Sequence, residues 1–212
     1  MVLDCSYTRL VTSAAPRRLG ILGGTFDPPH YGHLEAARAA LAQVGLDAVV
    51  LMVANEPWQK TDGRHVTEAA IRLDMVKALV EGCTGISADD REIRRGGPTY
   101  TVDTLEEIHA ESPGAEIFLI MGADTAERIH SWHRAPDVVR LSTIVIVNRD
   151  NSSTNNPEFL RDAQVVHVSM ESIAVSSSGI RDVVAKGGSI TNETSNNVAA
   201  IVRDNGLYAG QR

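Results

Sequence analysis

A stretch rich in glycine and histidine, GGTFDPPHYGH at residues 23–33, is the densest group of chemically useful residues in this 212-residue chain. Gly23 and Gly24 allow the backbone to come close to a ligand, because glycine has no side chain to obstruct it. His30 and His33 are three residues apart and would share one face of a first helical turn. Two imidazoles beside the unpaired N–H groups and positive dipole end of a helix suit a phosphate chain. The stretch therefore predicts a phosphate-binding loop.

Other interpretations of the same stretch are open. The two glycines could simply form a tight turn while the histidines cap or pack. A zinc site is a second alternative, although the histidine pair lacks the i, i+4 spacing and the third ligand of the usual helical motif. A dinucleotide-binding loop is a third, because Glu56 could imitate its ribose-binding acid, but the glycines do not follow GxGxxG. The chain has no GxxxxGK[ST] sequence, which disfavours a kinase-type phosphate loop.

A serine run near the C-terminus, VSSSGIR at residues 175–181, forms a second candidate motif. Alone, serines before a predicted helix usually form an N-cap. Together, however, the two stretches resemble the paired signatures of the (T/H)xGH nucleotidyltransferase superfamily, whose second signature has the form SSTxIR. Here Ser178 replaces Thr and Val175 stands where Ile is usual, which keeps the hydroxyl and the branched apolar side chain. Members of that superfamily transfer a nucleoside monophosphate and release pyrophosphate.

The middle of the chain narrows this resemblance. Between about residues 19 and 208, in colinear order, the chain looks like bacterial nicotinate-nucleotide adenylyltransferase. The segments that carry this likeness are NEPWQK at 55–60, GGPTYTVDTL at 96–105, MGAD at 121–124, Trp132, and Leu207 with Tyr208.

The resemblance implies a role for each matched position, with ATP and nicotinate mononucleotide as the substrates. The implied catalytic residues are His30, His33 and Arg181. The implied ATP-binding residues are Gly23, Gly24, Thr25, Phe26, Gly122, Asp124, Ser177 and Ser178. The residues implied for nicotinate mononucleotide are Lys60, Thr99, Tyr100, Thr101, Trp132 and Arg149. No residue is assigned as a metal ligand, and Mg²⁺ is expected to arrive with ATP, because the motif residues are poor magnesium ligands.

Several other functions are alternatives to this assignment. The nearest is another adenylyl- or cytidylyltransferase, such as the pantetheine-phosphate enzyme, which would not need the GPTYT segment or Trp132. A non-catalytic nucleotide sensor on the same fold could lose His33 or Arg181, yet this chain keeps both. A dehydrogenase-like module has different glycine spacing. Trp132 could also merely pack, and the arginines at 91, 94 and 95 would by default form a solvated face.

The elements that must position these residues alternate between strand and helix. Strands are predicted at residues 19–22, 48–53, 117–121, 143–147 and 165–168, from apolar, β-branched runs. Helices are predicted at 31–43, from an N-cap at Thr67 to about Gly82, and at 100–110, 123–130, 179–185 and 197–205. Loops are predicted at 148–157 and 187–197. The alternation predicts an α/β fold: a Rossmann-like, doubly wound parallel sheet with helices on both faces and a small C-terminal helical portion.

Composition limits the partners of the chain. Hydrophobic residues make up 43% and charged residues 22%, which is typical of a globular protein, and the net charge is −7. We expect one domain at residues 19–212, preceded by an N-terminal extension at 1–18. An acidic chain without a run of about 20 apolar residues is a poor candidate for binding nucleic acid or a membrane. Two lone cysteines, Cys5 and Cys83, indicate a reduced, cytoplasmic setting, and a homo-oligomer is compatible with the sequence.

Overall fold

A computed structural model of the chain describes residues 17–57, 66–149 and 156–210. Six parallel strands in these residues form one sheet. They are β1 (Arg18–Gly24), β2 (Ala48–Val53), β3 (Ile86–Asp89), β4 (Glu116–Gly122), β5 (Thr143–Arg149) and β6 (Val165–Met170). Their order across the sheet is β3-β2-β1-β4-β5-β6. The predicted doubly wound, Rossmann-like sheet is therefore confirmed.

The centre of the sheet is a point where the direction of winding reverses. The chain moves outward from β1 through β2 to β3, then returns to place β4 on the other side of β1. In open α/β sheets, a crevice for ligands forms at such a switch point, outside the carboxyl ends of the two strands. The residues that follow β1 and β4 are thus the first place to look for a site.

Helices cover both faces of this sheet. The described helices are α1 (Tyr31–Val44), α2 (Ala69–Val80), α3 (Arg91–Arg95), α4 (Thr101–Glu111), α5 (Ala123–Ala126), α6 (Ala135–Leu141), α7 (Ser177–Ala185) and α8 (Asn196–Asp204), with 3₁₀ turns at Ile129–Ser131 and Glu158–Leu160. The helices α1, α2, α7 and α8 pack into one hydrophobic core, while α4 and α6 pack into the other.

Strand β4 illustrates how one sheet supplies two cores. Phe118 and Ile120 point into the core beneath α1. Ile117, Leu119 and Met121 belong to the opposite core, beneath α4. Because successive side chains of a strand alternate between faces, a strand buried on both sides reads as a continuous apolar run. This run is the pattern from which β4 was predicted.

Three short elements of the α/β succession, β3, α3 and α6, escape the sequence patterns, and α3 has only five residues. Strand β3 has four residues, of which only Ile86 is buried, so it lacks a long apolar run. Helix α6 carries a proline in its first turn and has seven residues, too few for a clear helical period. The helix predicted at residues 123–130 is in fact α5 followed by a 3₁₀ turn.

The predicted N-cap of α2 is also wrong by one residue. Glu68 occupies the N-cap position, without a capping side-chain hydrogen bond. Thr67 is instead buried, and its carbonyl accepts a hydrogen bond from Arg72 Nε at 2.7 Å.

Residues 1–16, most of the expected N-terminal extension, lie outside the described residues, and β1 begins at Arg18. The expected C-terminal helical portion is present as α7 and α8, which pack on the sheet through Ile180, Val198 and Val202. In the described part of the chain, we find no helix with the length and apolar character needed to cross a bilayer.

Candidate active site

A cleft of about 590 Å³ lies at the switch point of the sheet. The end of β1 and the loop after it, residues 23–26, form one wall, and residues 122–125 after β4 form another. A Cβ atom added to Gly23 or Gly122 would meet no atom within 4 Å. The backbone at both strand ends is therefore open to the cleft, as expected where a ligand must approach closely.

The loop after β1 is shaped by Phe26. This buried residue adopts a positive φ of 52°, a left-handed conformation that is uncommon for a bulky side chain. Its ring lies so close to Gly24 that a Cβ there would come within 2.9 Å of it. The ring also meets His33 edge to face, with centroids 4.9 Å apart. Phe26 thus supports both the glycine backbone and the histidine that lines the cleft.

The two histidines of the motif are stacked at the start of α1. His30 is the N-cap residue, and its ring lies 3.7 Å from that of His33, nearly parallel to it. The backbone N–H of His30 donates to Nδ1 of His33 at 3.2 Å. Because Nδ1 accepts this bond, the neutral His33 ring carries its proton on Nε2, where it can serve as a donor. His33 lines the cleft, whereas His30 is buried behind it and does not.

The second motif packs directly against this loop. Ser177 lines the cleft and donates to the carbonyl of Pro28 at 2.8 Å. Arg181 donates from Nη1 to the carbonyl of Asp27 at 2.7 Å. Ser178 is exposed, with its hydroxyl 3.1 Å from that of Ser176, and lies outside the cleft lining. The pairing of the two motifs is thus present in the structure, with Ser177 and Arg181 holding the loop backbone.

Four of the six residues predicted for the pyridine nucleotide line the same cleft. They are Thr99, Tyr100 and Thr101, at the start of α4, and Trp132. The Nε1 atom of Trp132 is buried and has no hydrogen-bond partner among the described residues. A buried, unpaired N–H group is costly, so it marks a place where a ligand acceptor would be favourable. The rest of the Trp132 ring packs against the core beneath α4, so the packing interpretation is partly correct too.

His133 also lines this part of the cleft, although it belongs to neither sequence motif. Its ring lies 4.4 Å from that of Tyr100, centroid to centroid. The only sequence signal was its position beside Trp132.

Two predicted positions cannot be placed in the cleft. Lys60 lies outside the described residues. Arg149 is the last residue of β5, and only its backbone position enters the description. Their assignment to the mononucleotide phosphate stays a prediction.

A buried carboxylate, Glu92, lines the cleft and was not predicted. It accepts a hydrogen bond from the hydroxyl of Thr104 at 2.7 Å, and Arg95 donates to that same hydroxyl at 2.8 Å. Burial raises the pKa of Glu92, and the bond from Thr104 partly opposes this effect. Glu92 joins α3 to the first turns of α4.

The expectation of a solvated arginine face on α3 is wrong for two of its three arginines. The Arg91 side chain is only 12% exposed and is paired with Asp89 at 2.9 Å and with Glu111. Arg95 is 26% exposed and is paired with Glu107. Arg94 alone fits the expectation, at 63% exposed. The partners of these arginines come from β3 and α4, which a charge run in the sequence does not reveal.

A second buried polar group lies beneath the loop after β1. The carboxylate of Asp27 accepts from the hydroxyl of Tyr208 at 2.7 Å and from the backbone N–H of Thr67 at 3.4 Å. Burial raises the pKa of Tyr208, and the negative charge of Asp27 raises it further. Burial lowers the pKa of Arg72, which lies in the same region, and the charge of Asp27 opposes that shift. Asp27 belongs to the first motif and Tyr208 to the C-terminal segment that carries the resemblance, but no sequence pattern places these side chains together.

Among the described residues, the cleft offers few side chains that could bind a metal ion. Within residues 17–57, 66–149 and 156–210, no three histidine, cysteine or acidic side chains are grouped as metal ligands would be. Asp124 is exposed in the cleft, whereas the Glu92 carboxylate is engaged by Thr104. Magnesium commonly uses one or two carboxylates together with substrate phosphates and water. The residues present fit an ion of that kind, held mainly by the nucleotide.

Comparisons with known proteins agree with this geometry. The cytidylyltransferase-like family matches residues 21–183 of the chain. The "probable nicotinate-nucleotide adenylyltransferase" of Corynebacterium kroppenstedtii is 41% identical over 172 residues, which cover 80% of this chain and 81% of the relative. The protein of the same name from Dehalococcoides mccartyi is 35% identical over 201 residues, covering 92% and 98%.

Solved structures show the same fold. Two structures of Plasmodium falciparum nicotinic acid mononucleotide adenylyltransferase, one complexed with APC and one with NaAD, each match with a TM-score of 0.73. They cover 91% of this chain and 97% of their own chains, at 17% and 18% identity. At this level of identity, the likeness concerns the fold.

Proposed function

Since the chain belongs to the cytidylyltransferase-like family, and within it to the nicotinate-nucleotide adenylyltransferases, we propose that it transfers the adenylyl group of ATP to nicotinate mononucleotide. The products are deamido-NAD and pyrophosphate, so the enzyme acts in NAD biosynthesis. One observation of the structure supports this most strongly. A single cleft is lined both by the residues of the phosphate-binding loop and by those of the GPTYT segment and Trp132.

The reaction needs alignment more than it needs a protein nucleophile. An oxygen of the mononucleotide 5′-phosphate attacks the α-phosphorus of ATP and forms the new P–O bond. The bond from the α-phosphorus to the bridging oxygen breaks, and its electron pair leaves with pyrophosphate. Both reacting groups are already anionic phosphates, so positioning and positive charge are the enzyme's contributions. Well-oriented reactants can gain roughly 7–11 kcal/mol over a bimolecular encounter.

The loop after β1 supplies the donors for the ATP phosphates in this proposal. His33 lines the cleft and, with Nδ1 occupied by the His30 N–H, presents Nε2–H as a donor. Arg181 and Ser177 hold the carbonyls of Asp27 and Pro28, which keeps the loop closed around the start of α1. Phosphate groups suit the N-terminus of that 14-residue helix. Gly122 and Asp124, at the end of β4, are assigned to the adenosine.

The start of α4 and Trp132 recognise the pyridine ring in this proposal. Thr101 is the first residue of α4, so donors from the helix N-terminus and from hydroxyl groups converge there. Such a set favours a carboxylate over an amide, because every partner can donate and the helix dipole adds attraction. The Nε1–H of Trp132 is a further donor without a partner among the described residues. The proposed substrate is therefore the nicotinate and not the nicotinamide mononucleotide.

We assign Mg²⁺ to the ATP phosphates as the cofactor. It would offset the negative charge that accumulates between the two phosphate groups as they approach. The ion would be held mainly by the nucleotide phosphates and water, and no side chain is assigned as its ligand.

The cytoplasm is the proposed location of the reaction. Cys83 is a free thiol and the chain has two cysteines in 212 residues, which suits a reducing compartment. ATP and nicotinate mononucleotide are the partners in this proposal, and a homo-oligomer is compatible with it.

Pyrophosphate release tests the proposed function. The purified chain is incubated with ATP and Mg²⁺, and either nicotinate mononucleotide or phosphopantetheine is added as the acceptor. A parallel reaction contains CTP in place of ATP. We expect rapid pyrophosphate release with nicotinate mononucleotide and stoichiometric deamido-NAD by mass spectrometry. Release with another acceptor alone would overturn the assignment of substrate, and ATP binding without any release would indicate a nucleotide sensor.

A further inference from the structure

Arg72, on α2, is a fully buried arginine that belongs to neither motif, with 1% of its surface exposed. Its guanidinium donates four hydrogen bonds to backbone carbonyls. Nε bonds Thr67 at 2.7 Å, Nη1 bonds Thr25 at 2.8 Å and Ala54 at 2.7 Å, and Nη2 bonds Asn55 at 2.9 Å. One side chain therefore ties the loop after β1 to the residues after β2 and to the start of α2.

The positive charge of the Arg72 guanidinium is balanced by a nearby carboxylate. The carboxylate of Asp27 interacts with it electrostatically and also accepts from Tyr208 and Thr67. The Asp27 carbonyl in turn accepts from Arg181. Arg72 thus lies directly beneath the loop that carries His30 and His33.

Asn55 is in turn hydrogen-bonded to Thr99 and Gly97, in the segment that precedes α4. The backbone N–H of Asn55 donates to the hydroxyl of Thr99 at 3.0 Å, and its side-chain amide donates to the carbonyl of Gly97 at 3.0 Å. The N–H of Thr99 donates to the carbonyl of Glu56 at 3.2 Å. Thr25 and Thr99 both line the cleft, and Arg72 connects them through the carbonyl of Thr25 and through Asn55.

We propose that Arg72 is a positioning residue for adenylyl transfer, fixing the nucleotide loop at Thr25 and Asp27 in register with the pyridine-nucleotide segment at Thr99. The inference rests on the proposed function, since it needs two substrates in one cleft. A guanidinium is suited to this task because its five N–H donors have a rigid, planar arrangement. Displacing one half of the cleft by about 1 Å can cost 10²-fold in rate, even when each half still binds its own substrate.

The test is Arg72→Lys, which keeps the charge but has three donors and no fork. We expect kcat to fall by about 10²-fold. Calorimetry with ATP alone and with nicotinate mononucleotide alone should give dissociation constants close to those of the unmodified protein. A structural defect of the whole molecule would instead weaken binding of both ligands together with turnover.

Arg91→Lys is the matched control, because Arg91 is also largely buried and ion-paired but contacts neither loop. It should lower the melting temperature while leaving kcat near normal. Equal losses of kcat in the two variants at comparable melting temperatures would overturn the proposal.

A milder variant covers the case in which Arg72→Lys does not fold. Asn55→Ala keeps Arg72 and removes only the amide bond to Gly97. It should lower kcat in the same direction, to a smaller extent, with binding of each ligand retained. Unchanged kcat in Asn55→Ala would contradict the proposal. If the unmodified protein makes no deamido-NAD in the same assay, the proposed function fails instead.

Discussion

The orientation of one imidazole determines what the cleft can donate to a phosphate. The backbone of His30 holds Nδ1 of His33 as an acceptor, and Phe26 supports the ring from its edge. Gly32 fits closely beside them, because a Cβ there would lie 3.0 Å from Nδ1 of His30 and the His30 ring would have to shift slightly. The tautomer that presents Nε2–H is therefore built into the loop itself.

Removing this imidazole tests its role. His33→Ala should lower kcat by about 10²–10³-fold, the usual effect of losing one preorganised transition-state donor. The melting temperature should change little, since His33 is only partly buried. His130→Ala is the control: His130 is exposed, and its Nδ1 lies 3.1 Å from the nearby carbonyl of Glu127. Near-normal turnover of His33→Ala would show that the catalytic assignment is wrong.

Individual residues differ in how far a sequence can reveal them. The sequence predicts that Gly23, Gly24 and His33 line a ligand site, because their residue types and spacing are typical of a loop before a helix. Arg72 and Glu92 could not be predicted, because their partners come from segments distant in sequence. A buried charge looks like any surface charge until the fold brings its partners to it.

Elements at the C-terminus complete the loop after β1. Besides the bonds from α7, the hydroxyl of Thr194 donates to the carbonyl of Pro29 at 3.0 Å. The N–H of Tyr31 donates to the carbonyl of Glu193, also at 3.0 Å. The segment between α7 and α8, which the sequence predicts only as a loop, thus helps to hold the start of α1.

The helices and strands also differ in how well the sequence predicts them. Long buried strands such as β2 and β4 could be predicted closely, because burial on both faces produces a continuous apolar run. The edge strand β3 and the short helix α6 could not, because half-exposed or proline-containing segments leave no clear period.

The contact between α3 and α4 makes a prediction about pH. Because burial raises the folded-state pKa of Glu92 above its unfolded value, its contribution to stability is present at low pH and is lost as the pH rises through the folded pKa. Glu92→Gln keeps an acceptor for Thr104 and has no charge to bury. The variant should therefore gain stability relative to the unmodified protein on going from about pH 4 to about pH 7.

Thermal unfolding measures this effect, since each kcal/mol shifts the melting temperature of a chain of this size by about 2–4 °C. Asp90→Asn is a suitable control, because Asp90 lies nearby with a side chain that is 44% exposed, and its pKa is lowered, mainly by its bond from Arg94. It should give the opposite pH trend. A difference for Glu92→Gln that does not change with pH would contradict this account of the buried carboxylate.

Over the whole molecule, an acidic chain must hold two anionic substrates. The net charge of −7 gives no general attraction, so binding depends on donors concentrated at the switch point of the sheet. His33 in the first turn of α1 and Thr101 at the start of α4 both line the cleft and can supply such donors. The preference of the enzyme for a carboxylate or an amide on the pyridine ring therefore tests two things. It tests which mononucleotide is the substrate, and it tests whether these donors contact the ring substituent.

The most direct test is a side-by-side measurement of kcat/KM for nicotinate and nicotinamide mononucleotides, with ATP and Mg²⁺ saturating. An amide placed among donors leaves groups unpaired, at a cost of about 1–3 kcal/mol for each mismatch. We predict that nicotinate mononucleotide is preferred by roughly 10- to 10⁴-fold. Equal values of kcat/KM, or a preference for the nicotinamide form, would contradict the account.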